Sequence, residues 1–282
     1  MATLFLKPNL KIRAAVPTLT SVLLRSLPAI YRLNTLPSLA REKQFAVLQS
    51  SAKTIARALD LHIQMVGLEH LPKEPCVIAP LHEGLLDVLA LLHLPLPMCF
   101  ATRGELFDWQ WIGKIIKATQ SIEVNPEQGS SSYRRLLRLA KEVFERQEHL
   151  VLFPQGSICG IETAFQKGAF TLAKAFDVPI LPIVLAGSHR VWDHPFSPDL
   201  QTHQTVFMQI LEPIRKPDPI ALQRQMKAVA LQQPILPRRY QPQLDGYWDG
   251  YVFGIDPDFP TTYEDVLTHR QKAGFQPNGS VS

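Results

Sequence analysis

The chain has 282 residues, 46% of them hydrophobic and 19% charged, with 14 glycines and 3 cysteines. That supplies apolar material for one sizeable core and excludes collagen-like, coiled-coil and disulfide-stapled architectures. The formal charge of +4 is unevenly placed: six basic side chains (Lys7, Lys11, Arg13, Arg25, Arg32, Arg41) and no acid precede Glu42.

A nucleic-acid protein spreads positive charge over its folded surface. A basic, apolar leader fits an anionic membrane surface instead, so nucleic acid is not an expected partner. Cys76, Cys99 and Cys159 form no CxxC pair, which points to a reducing compartment and away from structural zinc. No stretch reads as a membrane span. Pro17, Arg25 and Pro28 break the run Ala14–Tyr31, and Asp87, His93, Pro95 and Pro97 break Leu85–Phe100. The start lacks the uninterrupted apolar stretch of a secretory signal, whereas an acid-free basic leader is compatible with an organelle transit peptide. The expected location is the cytoplasmic face of a membrane, peripheral or shallowly inserted.

In chain order, apolar positions with proline punctuation over 14–34 predict a first helical segment. Residues 38–59 predict a second, with Phe45, Leu48, Ile55 and Leu59 as its stripe and Ser38 as its N-cap. Residues 1–59 therefore read as a basic helical element touching a membrane surface. From residue 60 strands and helices alternate. LHIQMVG and the wholly apolar PCVIAP predict strands, 83–93 a helix, MCFAT (98–102) a strand, 105–117 a helix and SIEV (121–124) a strand. The serine cluster 130–132 opens a strongly amphipathic helix with Leu136, Leu139, Val143 and Phe144 on one face. HLVLFP (149–154) follows as a strand, then a helix over 163–176, a strand over 178–187 interrupted by Pro182, and a last strand over 204–214. Short apolar strands between helices predict an α/β fold: a mixed, mostly parallel sheet covered by helices on both faces. Residues 60–234 form this domain. Residues 235–282, rich in Pro, Gly, Asp and aromatics, predict an irregular tail packed on it, ending in a short helix near 262–272.

Two segments carry chemistry. In PCVIAPLHEGLLDVLALL a buried strand runs into a loop holding His82, and Asp87 follows in the first turns of the next helix. A carboxylate on one ring nitrogen fixes the tautomer and leaves the other nitrogen as a base, which is what deprotonating a hydroxyl during attack on a thioester requires. A second pair at the same spacing, His194 and Asp199, sits in a proline-rich loop and is read as incidental. In HLVLFPQGSICG a strand empties into Phe153-Pro154-Gln155-Gly156-Ser157 at the sheet edge where α/β folds bind ligands. Gly156 permits close backbone approach, Gln155 and Ser157 offer neutral hydrogen-bonding groups, and backbone N–H groups at this turn and at the helix start are expected to hold an oxyanion. Isolated Cys99 and Cys159 read as small buried hydrophobes rather than nucleophiles.

Taken in order, these blocks resemble the lysophosphatidic acid and glycerol-phosphate acyltransferase family over residues 60–212. His82 and Asp87 match its H-x4-D motif. FATRGELFDWQWIG matches the block with a basic acceptor-binding residue, at Arg103, and a later glycine, at Gly113. FPQGS falls on F-P-E-G-[TS], and FQKGAFTLAKAFDVPILPIVLAG on the closing block, with Lys167 as a further binding cation. The resemblance implies transfer of a fatty acyl chain from acyl-CoA or acyl carrier protein to a lipid hydroxyl, such as that of 1-acylglycerol-3-phosphate. His82 acts as general base oriented by Asp87, and no metal or prosthetic group is needed. Substrate binding is carried to Arg103, Phe153, Pro154, Gln155, Gly156, Ser157 and Lys167.

The departures are Gln155 for glutamate, Ile158 for the arginine that often follows, and Asn125-Pro126 where a basic residue often stands. Isoleucine cannot replace a bidentate phosphate contact. This keeps open a non-phosphate lipid alcohol, such as a glycolipid or terpenoid glycoside, as acceptor. The alternatives outside acyl transfer to an acceptor are a thioesterase and a catalytically silent, membrane-bound lipid-binding protein.

Overall fold

The apolar runs around Val77 and Ile180 become the two central strands of the sheet, and both are buried at every position. A computed structural model describes residues 12–109, 112–125, 128–156, 164–192 and 199–233. In chain order its elements are α1 (Val16–Thr35), α2 (Arg41–Ala58), β1 (His62–Val66), β2 (Val77–Pro80), α3 (Leu86–Leu91), β3 (Met98–Arg103), α4 (Ile112–Ala118), β4 (Ile122–Val124), α5 (Ser130–Glu145), β5 (His149–Val151), α6 (Gly168–Phe176), β6 (Ile180–Ala186), β7 (Thr205–Ile210) and α7 (Pro219–Leu231).

Among the described residues the strands form one sheet in the order β1-β7-β6-β2-β5-β3-β4. Every neighbouring pair is parallel except β6 with β7. The fold is the expected one, mixed and mostly parallel with helices on both faces. Side-chain alternation along β6 builds those faces. Ile180, Val184 and Ala186 enter the core under α5, α6 and α7, whereas Leu181, Ile183 and Leu185 enter the core on the side of α3. β2 divides in the same way, Val77 and Ala79 against Ile78.

Pro182 does not interrupt β6. Ile183 pairs with Ile210, but Ile180 bridges Ile214, so the β7 register slips by one residue opposite Pro182. The proline, which has no N–H to donate, is tolerated at this bulge.

Several boundaries move. The helix expected over 83–93 is only α3, and the one expected over 105–117 splits into a 3₁₀ turn at Gly104–Asp108 and then α4. The helix expected from 163 starts at Gly168. α2 is capped by Ala40 rather than Ser38, which instead ends a 3₁₀ turn with its Oγ donating to Thr35 O at 2.8 Å. Gly113 is required for packing, since a Cβ there would lie 2.2 Å from Phe107 O.

α1 and α2 pack together, and Leu36, Leu48 and Ala52 close a small cluster on Leu92. Arg13, Arg25, Arg32 and Arg41 of this segment are engaged within the protein. Arg13 pairs with Asp199, Arg25 with Asp60, and Arg41 with Glu148, while Arg32 donates to Thr54. Val16, Leu23, Leu24, Leu27 and Tyr31 of α1 are exposed and fall within about 100° of arc on the helix. No described helix is long and apolar enough to cross a membrane. The expected C-terminal tail, His194 and Ser157 lie outside the described residues.

Candidate functional site

β6, β2, β5 and β3 are parallel neighbours, so the loops leaving their C-terminal ends open on one edge of the sheet. The loop after β2 carries His82, and Asp87 sits in the first turn of α3. His82 Nδ1 lies 2.7 Å from Asp87 Oδ2. Asp87 is fully buried, and its lost hydration is offset by donors on both oxygens. Oδ2 also accepts the backbone N–H of Glu83 at 2.7 Å and of Gly84 at 3.0 Å, and Oδ1 accepts Ser188 Oγ. A ring whose Nδ1–H donates to a carboxylate has Nε2 as its basic nitrogen. Phe153, from the loop after β5, stacks on the imidazole with centroids 3.9 Å apart.

Gln155 is also fully buried. Its Oε1 accepts the His82 backbone N–H at 2.6 Å, and it is not among the residues that line the adjoining cavity. The amide expected to contact substrate thus supports the His82 backbone. Gly156 adopts φ +68°, a left-handed turn that favours glycine, and its N–H donates to Phe153 O. Among the described residues, three backbone donors at this turn and the helix start are engaged within the protein: Gly156 N on Phe153, and Glu83 N and Gly84 N on Asp87.

A cavity of about 610 Å³ adjoins His82. Leu33 of α1 and Leu48 and Ile55 of α2 line it, together with Leu89, Leu92 and Phe100, so the N-terminal helices build part of its apolar wall. Phe153, Pro154, Gly156 and Arg103 line it as well. Arg103, at the end of β3, makes two contacts to Glu105, Nη2 to Oε1 at 2.9 Å and Nε to Oε2 at 3.3 Å. Burial, the largest single influence, pushes the Glu105 carboxyl up, but the Arg103 hydrogen bonds and charge together with a backbone hydrogen bond outweigh it and lower the group from its ordinary value. Lys167 is exposed at the start of α6 and does not line the cavity, although Gln166 and Gly168 on either side of it do.

Three residues at this edge carry no signal in the sequence: Glu83, Ser188 and His189. Glu83 is buried and its Oε2 accepts Gly187 N–H at 2.8 Å and lies 2.9 Å from His189 Nδ1. Ser188 lies 101 residues beyond Asp87, a separation with no periodicity; only the adjacency of β2 and β6 reveals it.

A cysteine–histidine pair lies elsewhere in the sheet, with Cys76 Sγ 3.1 Å from His149 Nδ1. Burial raises the Cys76 thiol well above its ordinary value, raises Cys99 to about 11 and lowers His149 to about 4. All three are therefore neutral near pH 7, and neither thiol is an activated nucleophile.

Residues 62–186 match the family model described as Acyltransferase. The chain is 30% identical over 129 residues to a 1-acyl-sn-glycerol-3-phosphate acyltransferase of Bacillus subtilis, a match covering 44% of this chain and 63% of that protein. It is 30% identical over 132 residues to a chloroplastic enzyme of the same name from Brassica napus, covering 44% of this chain and 37% of that one. The beta form from Homo sapiens is 27% identical over 143 residues, covering 50% and 51%. The match thus spans less than two thirds of each of these relatives. Among solved structures, the 1-acyl-sn-glycerophosphate acyltransferase PlsC of Thermotoga maritima superposes with a TM-score of 0.58 at 18% identity, covering 76% of this chain and 94% of that one.

Proposed function

Because residues 62–186 match the family model described as Acyltransferase, we propose that this chain is an O-acyltransferase. It moves a fatty acyl chain from a thioester carrier to the hydroxyl of a lysophospholipid such as 1-acylglycerol-3-phosphate. The observation that carries this is the 2.7 Å contact of His82 Nδ1 with buried Asp87, set beside a largely apolar cavity that also holds Arg103. Asp87 fixes the imidazole tautomer, and Nε2 takes the proton of the acceptor hydroxyl as its oxygen attacks the thioester carbonyl. General-base catalysis of this kind contributes about 10²–10⁴-fold. The thiolate of acyl-CoA or acyl carrier protein then leaves, protonated by the same imidazole. No covalent acyl-enzyme, metal or prosthetic group enters the scheme. The cavity walls suit an acyl chain, and the exposed apolar stripe of α1 supports contact with a membrane surface.

One observation favours a second acceptor class. Arg103 is already paired with Glu105, and Lys167 stands off the cavity, so a phosphate monoester meets a neutralised pair. A lipid alcohol without phosphate, such as a glycolipid, suits that surface better.

The test is thiol release from a long-chain acyl-CoA by the protein in phospholipid vesicles. Lysophosphatidic acid, a neutral lysophospholipid and a glycolipid are offered in turn, with acyl carrier protein as the alternative donor. Turnover that needs an acceptor and disappears in His82→Ala is the expected result, and the preferred acceptor decides between the two classes. Release of free acid without an acceptor, or no turnover with either donor, would overturn acyl transfer.

A further inference from the structure

We infer that Ser188 is a positioning residue for the His82–Asp87 pair: its hydroxyl fixes the carboxylate that orients the imidazole. This role rests on the acyl-transfer reading of that pair. Asp87 Oδ2 is held by His82 Nδ1, Glu83 N and Gly84 N, all from its own loop. Those contacts hold only one of the two carboxylate oxygens. Ser188 Oγ, arriving from the end of β6, donates to Oδ1 and restrains the second oxygen, stiffening the group against the rocking that three contacts on Oδ2 still permit. Both oxygens are then anchored, and the direction in which Oδ2 meets the imidazole is fixed.

Ser188 is itself held in place. The residues on either side of it both reach one carboxylate, Gly187 through its N–H and His189 through Nδ1, on Glu83 Oε2. Glu83 in turn donates its backbone N–H to Asp87. The contacts close a ring that runs from Asp87 to Ser188, through its neighbours to Glu83, and back to Asp87. Ser188 and Asp87 are fully buried, and Glu83 and His189 nearly so, so water does not compete for these bonds. Two carboxylates thereby staple the loop after β2 to the loop after β6.

The experiment compares the parent with Ser188→Ala and Ser188→Thr. One hydrogen bond to a charged group predicts a kcat lower by about 10- to 100-fold in Ser188→Ala. KM for donor and acceptor should stay within about twofold of the parent, and Ser188→Thr, which keeps the hydroxyl, should recover most of the loss. Parental kcat in Ser188→Ala, a rise in KM that accounts for the loss, or equal losses in the two variants would each overturn the role. The proton resonance of the His82 Nδ1–H bond to Asp87 is read by NMR on the substrate-free proteins. It should move in Ser188→Ala and return in Ser188→Thr; an unmoved resonance overturns the proposal whether or not the parent turns over. A silent parent overturns acyl transfer separately.

Discussion

Gln155 Oε1 accepts the backbone N–H of His82 at 2.6 Å, joining the loop after β5 to the loop after β2 from a fully buried position. The amide therefore supports the His82 backbone, and with glutamine where the F-P-E-G-[TS] motif has glutamate an acceptor oxygen stays in place. Gln155→Met removes that oxygen and strands the His82 N–H in the interior, at a cost of about 1–3 kcal/mol. Lower stability in denaturant unfolding together with a lower kcat is the expected result. A variant that unfolds and turns over like the parent would deny Gln155 this role.

Glu105 holds Arg103 beside the cavity through two contacts. Glu105→Gln removes the countercharge while preserving shape, leaving the guanidinium more available to an anionic headgroup. KM for lysophosphatidic acid should fall by roughly twofold to fivefold, in line with the modest worth of a partly exposed charge contact. KM for a neutral acceptor should stay put. Equal changes for both acceptors would remove Arg103 from headgroup recognition.

Arg41 joins the start of α2 to Glu148 through contacts of 2.8 and 2.7 Å, with Arg146 as a weaker second partner at 3.3 Å. The Glu148 side chain is only 8% exposed, so deleting Arg41 leaves a nearly buried carboxylate short of a partner. Arg41→Met should lower unfolding free energy by about 1–3 kcal/mol. The solvent-exposed Arg25–Asp60 pair predicts a smaller loss for Arg25→Met. Unfolding curves in urea compare the two, and a larger loss at Arg25 would contradict the ranking by burial.

His149, buried against Cys76, has its imidazole pushed down to about 4 from the ordinary 6.5. Below pH 6.5 the unfolded chain binds a proton that the folded protein refuses. Stability is therefore complete above about 6.5 and is lost progressively down to about 4, amounting to about 2 kcal/mol at pH 5. His149→Gln, which has nothing to titrate, should flatten the fall in melting temperature between pH 7 and pH 5. A slope equal to that of the parent would show that other groups set the acid limit.

The order and type of the elements were legible in the sequence because burial dictates local pattern. Apolar strands such as Val77–Pro80 lie buried on both faces, and α5 keeps a 3.6-residue stripe, so each announces itself within a few residues. His82 and Asp87 were legible for a similar reason, since one loop and one helical turn hold both partners. Element ends were less legible. α3 and α6 are shorter than their apolar stretches, and the 3₁₀ turn at Gly104–Asp108 splits one expected helix, because hydrophobic spacing does not encode where a cap falls. Pro182 also misled, because a proline is tolerated inside a strand only where the neighbouring strand bulges, and that strand lies about thirty residues on.

What the sequence determined by itself was therefore local: an α/β chain, an imidazole with its carboxylate, and a basic segment ahead of them. Tertiary structure decided every relationship that spans the sheet. Strand order brought Ser188 to Asp87 and Gln155 to His82, and packing of the N-terminal helices brought Glu148 to Arg41 and Asp60 to Arg25. Tertiary structure also set Gln155 against the His82 backbone and placed Arg13, Arg25 and Arg41 in intramolecular ion pairs. The physical reason is that hydrophobic periodicity records which face of an element is buried, whereas a hydrogen bond between distant loops depends on which strands are neighbours, and no short-range pattern encodes that.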